Sequence, residues 1–214
     1  FSEKFNFIKE QRLITKKILN YDERPFIDTS ILFIDEVKQL PKNLKALINN
    51  VSTNYTIKAN QLDSTYPTRL FDTKEGINNE EYSEKMGEIK EKLEKLKKYN
   101  ILEIKIPRIK TFLDEHSKAL KVYFDDFDKK YEVFKEFIQQ LDLFTQIINS
   151  KLEFKKISIS KENGIEIKKD TDGSSLELSQ LSSGEKQVIL LFFDLIFKIE
   201  KNSHLLIDEP EISL

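Results

Sequence analysis

The chain has 214 residues, 34% charged and 39% hydrophobic, with a net charge of −2 and no cysteine. That length allows one or two domains, and the lack of cysteine excludes a disulfide framework, a thiolate nucleophile and a cysteine metal site. The near-neutral balance argues against a surface coated in basic side chains for nucleic acid, though a local patch stays open.

No apolar run approaches membrane-spanning length and no secretory signal is visible, so a cytoplasmic protein without a membrane partner is expected. His116 and His204 are far apart and lack ligand-like neighbours, so zinc chemistry is not expected. Only five glycines and five prolines among so many charges suit long, salt-bridged helices.

Residues 5–14 (FNFIKEQRLI) read as a strand running into a polar end. Gln11 falls where this strand meets a helical stretch, either as a functional side chain or as a solvated strand end. From about Ser30 the pattern turns helical, with Pro41 suited to a first helical position. Leu44, Leu47, Val51, Tyr55 and Leu62 then follow at helix-like spacing. Residues 61–70 (QLDSTYPTRL) suggest no chemistry, and Pro67 is expected to end or kink that helix.

Asn78-Asn79 precede a second helix with the stripe Met86, Ile89, Leu93 and Leu96. Glu88–Lys92, Glu91–Lys95 and Glu94–Lys98 are i,i+4 pairs in the favourable orientation, the mark of a solvated face rather than a basic one. Pro107 is expected to open the longest helix, ending near Lys151. There Leu120, Phe124, Phe127, Tyr131, Phe134, Ile138, Leu141 and Ile148 hold close to a heptad seam. This aromatic stripe reads as a coiled-coil or bundle core, since base-stacking platforms lie on open sheets or grooves.

The period then changes to two. Ile157 and Ile159, Ile165 and Ile167, and Leu176 and Leu178 alternate with polar residues, and Asn163-Gly164 and Asp172-Gly173 supply hairpin turns. A small antiparallel meander leads into Leu181-Ser182-Ser183-Gly184-Glu185-Lys186-Gln187 and the apolar run 188–199, a polar loop opening a buried helix. An ordinary helix cap would look the same. A helix start with free N–H groups is also a ready phosphate site, and Gly184 allows close backbone approach. Residues 205–210 (LLIDEP) read as a short buried strand delivering two carboxylates. Asp208 is suited to hold Mg²⁺, usually through water, and Glu209 to polarise an attacking water.

Together these two runs resemble the signature and Walker B motifs of the ABC-type ATPases. Ser182 matches the signature serine that reaches the γ-phosphate, and Gly184 the glycine of close approach. Ser183 stands where transporters have glycine, and Glu185 where they have glutamine. The Ser-Ser-Gly-Glu form is similar to the SMC, RecF and OLD branch. Residues 208–214 (DEPEISL) resemble that branch's Walker B and the start of its D-loop, which includes Ser213. His204 replaces a usual aliphatic residue. Gln11 has the placement of a Q-loop glutamine sensing Mg²⁺. It shares with residues 61–70 a looser likeness to OLD-like and Septu-type bacterial defence ATPases.

The resemblance implies an α/β P-loop NTPase, an ABC-type head fragment with a long α-helical or coiled-coil insertion and a small antiparallel meander. The end of the first ATPase lobe would occupy residues 1–20, the insertion 21–152, and the second lobe 153–214. No Gly-x-x-x-x-Gly-Lys-Ser/Thr occurs in the chain. Because the chain starts at Phe1 without methionine and stops just past Walker B, an internal piece is expected. Its phosphate loop would lie before Phe1 and its switch histidine after Leu214.

The implied cofactors are ATP and Mg²⁺, bound by a homodimer or higher oligomer. Each ATP would be capped in trans by Ser182, Ser183, Gly184 and Glu185 of the opposing subunit, with Asp208 as metal ligand and Glu209 as the catalytic residue that polarises water. Hydrolysis would move the arms, in antiviral defence with a nuclease effector. A DNA-repair clamp of RecF or SMC type and a non-catalytic coiled-coil scaffold are the rival readings, and nucleic acid stays open as a partner.

Overall fold

The computed structural model describes residues 5–8, 14–19, 30–102, 111–199 and 204–207, with side chains described from Glu36 onward except in the last strand. The chain divides into two compact units. One comprises Phe1–Asn43, Asp142–Ile159 and Gly164–Leu214, and the other Leu44–Leu141 with Ser160–Asn163.

In the first unit, β1 (Phe5–Ile8) pairs in parallel with β7 (His204–Ile207), in a register running from Phe5 opposite His204 to Ile8 opposite Ile207. β2 (Ile14–Leu19) pairs antiparallel with β3 (Ser30–Asp35), Ile14 opposite Asp35 and Leu19 opposite Ser30. The single strand expected over residues 5–14 is therefore replaced by portions of two strands with different partners. The helical pattern expected from Ser30 begins instead at Glu36. Four apolar residues in a row (Ile31 to Ile34) are too few to show a helical period, and the ladder with β2 decides their state.

Helix α1 (Glu36–Asp72) carries Pro41 in its second turn rather than at its first position. A proline there has no N–H of its own to donate back along the helix. The Pro41 main chain instead lies against Gly164, where an added Cβ would fall 2.3 Å from the Pro41 carbonyl oxygen. Gly164 also has a φ of +73°, so both the turn and the close approach require glycine.

β4 (Lys155–Ser160), β5 (Gly164–Lys169) and β6 (Ser175–Leu176) form the meander in that order. Ile157, Ile159, Ile165 and Ile167 are buried as their alternation demands, whereas Leu178 lies in a 3₁₀ turn at Leu178–Gln180. In the second turn, Asp172 Oδ1 accepts from the Ser174 amide at 3.0 Å and its hydroxyl at 2.7 Å.

Helix α4 (Ser183–Phe193) follows and passes into a π turn at Asp194–Lys198, so the helix does not continue regularly to Ile199. Ile189, Leu190, Leu191 and Phe193 are buried. Val188, Phe192, Leu195 and Ile196 are only half-buried, against the expectation of an enclosed helix. Phe144 and Phe193 meet edge to face at 6.3 Å, and Phe197 lies 5.5 Å from Phe144. These rings anchor α4 to the end of α3 (Ser117–Lys151).

The second unit packs the remainder of α1, helix α2 (Asn79–Lys98) and most of α3. The Asn78 side chain accepts from the Glu81 amide and the Glu81 carboxylate accepts from the Asn78 amide, both at 2.9 Å, a capping box that fixes the start of α2. Met86, Ile89, Leu93 and Leu96 are buried as the stripe predicts, and so are all eight seam residues of α3. A fully buried ring such as Phe134 contributes roughly 2–3 kcal/mol. Pro107 lies outside the described residues. The α-helix starts at Ser117, after a 3₁₀ turn at Asp114–His116.

Ion pairs flank α3 on both sides. Lys92 Nζ donates to Asp128 Oδ1 at 2.7 Å and to Glu88 Oε2 at 3.2 Å, and Lys130 Nζ reaches Asp63 Oδ1 at 2.7 Å. Arg69 holds Asp126 in a two-pronged pair, Nη1 to Oδ1 and Nη2 to Oδ2, the latter at 2.7 Å. Pro67 does not end α1, which continues to Asp72. On either side of the proline, Arg69 Nη2 donates to the Leu62 carbonyl at 2.6 Å and Thr65 Oγ1 donates to the Gln61 carbonyl at 3.0 Å.

Candidate phosphate-facing helix terminus

The loop before α4 is fastened from both sides. Glu177 and Gln180 cap the preceding 3₁₀ turn reciprocally, and the Lys186 ammonium donates to the Ser179 carbonyl at 2.8 Å. Leu181 is buried and pins the loop to the core. Ser182 then occupies the N-cap in an extended conformation. Its hydroxyl accepts from the Glu185 amide at 3.2 Å, while its own amide donates to Glu185 Oε2 at 2.8 Å. Ser-x-x-Glu is the sequence form of a capping box, so this much was open to sequence reading.

The other Glu185 oxygen, Oε1, accepts from Lys155 Nζ at 2.6 Å, and nothing in the sequence pointed to Lys155. Burial acts to raise the Glu185 carboxyl's affinity for protons. The bonds from Lys155 and Ser182 outweigh it and hold the group below the usual glutamate range. The structure thus engages Glu185 in holding the helix terminus, with its carboxylate turned to the chain itself.

Two first-turn donors remain. Among the described residues, the amides of Ser183 and Gly184 have no hydrogen-bond partner, and Ser182, Ser183 and Gly184 are all exposed. Among the described residues nothing requires glycine at 184: its φ is not positive, and a Cβ built there would meet none of their atoms within 4 Å. Glycine in a helical position weakens the helix by roughly 1 kcal/mol relative to alanine. The terminus therefore offers two free amides, a hydroxyl and a helix dipole on a surface kept clear of side chains.

Ile207, the last residue of β7, immediately precedes Asp208 and Glu209 in the sequence, and Ile8, its partner in β1, precedes Gln11 by three residues. Asp208, Glu209, Gln11 and Ser213 themselves lie outside the described residues. Among the described residues no cluster of three or more His, Asp or Glu side chains forms a metal site. No described helix is long and apolar enough to cross a membrane.

No family model matches the chain, and no curated protein matches it.

Proposed function

We propose that this chain is part of an ABC-type ATPase head of the SMC, RecF and OLD branch, in which the N-terminus of α4 caps the γ-phosphate of ATP held by an opposing subunit. The observation that carries this reading is the exposed pair of unpartnered amides at Ser183 and Gly184, with open space at Gly184. A phosphate oxygen fits that chemistry, because fixed N–H dipoles bind an anion without reorganising. The Ser182–Glu185 box and the Lys155 bridge would keep those amides aimed during turnover.

The parallel pairing of β1 with β7 supports the rest of the site. Both strands run to the same edge of their ladder, the edge at which open α/β sheets bind ligands. On this reading Asp208 holds Mg²⁺, Gln11 monitors it, and Glu209 orients and deprotonates water. Bound ATP and Mg²⁺ supply the phosphoryl group and neutralise the charge developing on it. The phosphate loop comes from another segment of the protein. The seam of α3 and the stripe of α2 make the helical unit a stiff arm, whose movement would report ATP state to a nuclease effector in antiviral defence. The likeness to OLD-like and Septu-type proteins supports that last assignment.

The test is ATP turnover in the protein that joins this chain to its phosphate loop. Glu209→Gln is expected to retain ATP binding while losing at least about a hundredfold in rate. Turnover within twofold of wild type would remove Glu209 from the mechanism.

A further inference from the structure

A cavity of about 560 Å³ opens in the helical unit, a size suited to a small-molecule ligand. One wall comes from the segment 61–70, whose chemistry the sequence does not reveal. From α1 come Tyr55, Asp63 and Tyr66, and from α3 come Tyr123, Asp126, Phe127 and Lys130. The α3 residues recur at i, i+3, i+4 and i+7, so a single face of that helix lines the cavity.

The lining is rich in hydrogen-bond acceptors. Among the described residues the hydroxyls of Tyr55, Tyr66 and Tyr123 have no hydrogen-bond partner. Burial pushes the Tyr55 and Tyr123 phenols above their ordinary range, so both stay neutral and keep their oxygen lone pairs. Two carboxylates join them. Asp126 is buried and held by Arg69, while Asp63 is 65% exposed and offers Oδ2 beside the oxygen bound to Lys130. Lys130 is the single cation of the lining, already neutralised by Asp63. Four aromatic rings complete the walls, and the electron-rich faces of such rings attract cations.

An anionic guest would find no unpaired cation in the lining, since Lys130 is held by Asp63 and Arg69 by Asp126, and a purely apolar one would strand three phenols. We propose that this cavity binds a small organic cation, a guanidinium or primary ammonium on an aliphatic stem. Its N–H groups meet Asp63 and the phenols, and its stem lies against Tyr66, Tyr123 and Phe127. Lys130 competes with the guest for Asp63 and sets the affinity.

The test is isothermal titration of the whole chain with agmatine and with spermidine, in roughly 0.3 M salt to screen surface attraction. Saturable binding to wild type is expected. Asp63→Asn and Tyr66→Ala should each weaken it about tenfold, and Lys130→Gln should tighten it about tenfold by releasing Asp63. Glu132→Gln, an exposed acid on the same helix paired with Lys135, should leave it unchanged. Circular dichroism of each variant checks the fold. The absence of saturable binding to both wild type and Lys130→Gln up to about 10 mM overturns the proposal. So does binding that Asp63→Asn leaves intact, or weaker binding in Lys130→Gln.

Discussion

Lys155 Nζ donates to Glu185 Oε1 at 2.6 Å, tying the first residue of β4 to the third residue of α4. This bond makes the α4 terminus sensitive to acid. The folded-state pKa of Glu185 lies below its ordinary value, so the stabilisation is fully present above the unfolded glutamate pKa. It is lost as pH falls through the folded value. Glu185→Gln keeps an acceptor for the Ser182 amide but loses the charge opposite Lys155, a loss of about 1 kcal/mol at pH 7. Thermal denaturation from pH 7 to 3 should show the wild-type advantage shrinking below about pH 4. A gap that stays constant with pH would show that the carboxylate charge contributes nothing.

The Arg69–Asp126 pair calls for a different test. Asp126 is the only buried charged side chain among the described residues, so its removal leaves a guanidinium in a half-buried site without its counter-ion. Asp126→Ala is expected to lower stability by about 3 kcal/mol, read as a fall in the urea midpoint of the helical signal. Replacing both partners, Arg69→Met with Asp126→Leu, should recover most of that loss, because the desolvation cost disappears along with the attraction.

Phe154 combines two local penalties. Its φ is +59°, in the left-handed region that disfavours side chains, and its ring is 74% exposed. The backbone there is held by the Asp170 amide donating to the Phe154 carbonyl at 2.9 Å. Phe154→Gly removes strain of about 1 kcal/mol without opening a cavity, so the melting temperature should stay level or rise. A clear fall would mean that the ring is packed in solution.

Much of this architecture was legible because local signals and packing agree. At α2, the Asn78 cap, Glu81 three residues later and a three-four stripe all select one helix. At the meander, Asn-Gly and Asp-Gly select two turns. Legibility failed where a distant partner decides. Ser30–Asp35 is a strand because Ile14–Leu19 lies beside it. Pro67 reads as a stop, yet α1 runs on to Asp72, and just past the proline Arg69 donates to Leu62 and anchors on Asp126, which lies 57 positions away. At the α4 terminus the capping residues could be read directly. Lys155 could not, since a lysine opening a strand is ordinary on any sheet edge.

The split site is testable through Gly184. With no atom of the described residues within 4 Å of a Cβ built there, Gly184→Glu should fold normally and project a carboxylate from the α4 terminus. If that terminus meets a γ-phosphate in trans, the anion would repel it strongly in a site of low effective dielectric. The variant should bind ATP yet fail to form the ATP-dependent dimer, measured by light scattering with and without nucleotide. Mixing it with Glu209→Gln sharpens the test. In the mixed dimer one composite site would carry both defects, while the other would keep a normal Glu209 facing a normal Gly184. Partial recovery is expected, up to roughly a quarter of wild-type turnover were pairing random, provided one intact site is enough to fire. A signature acting in cis would instead leave one defect in each site and yield no recovery.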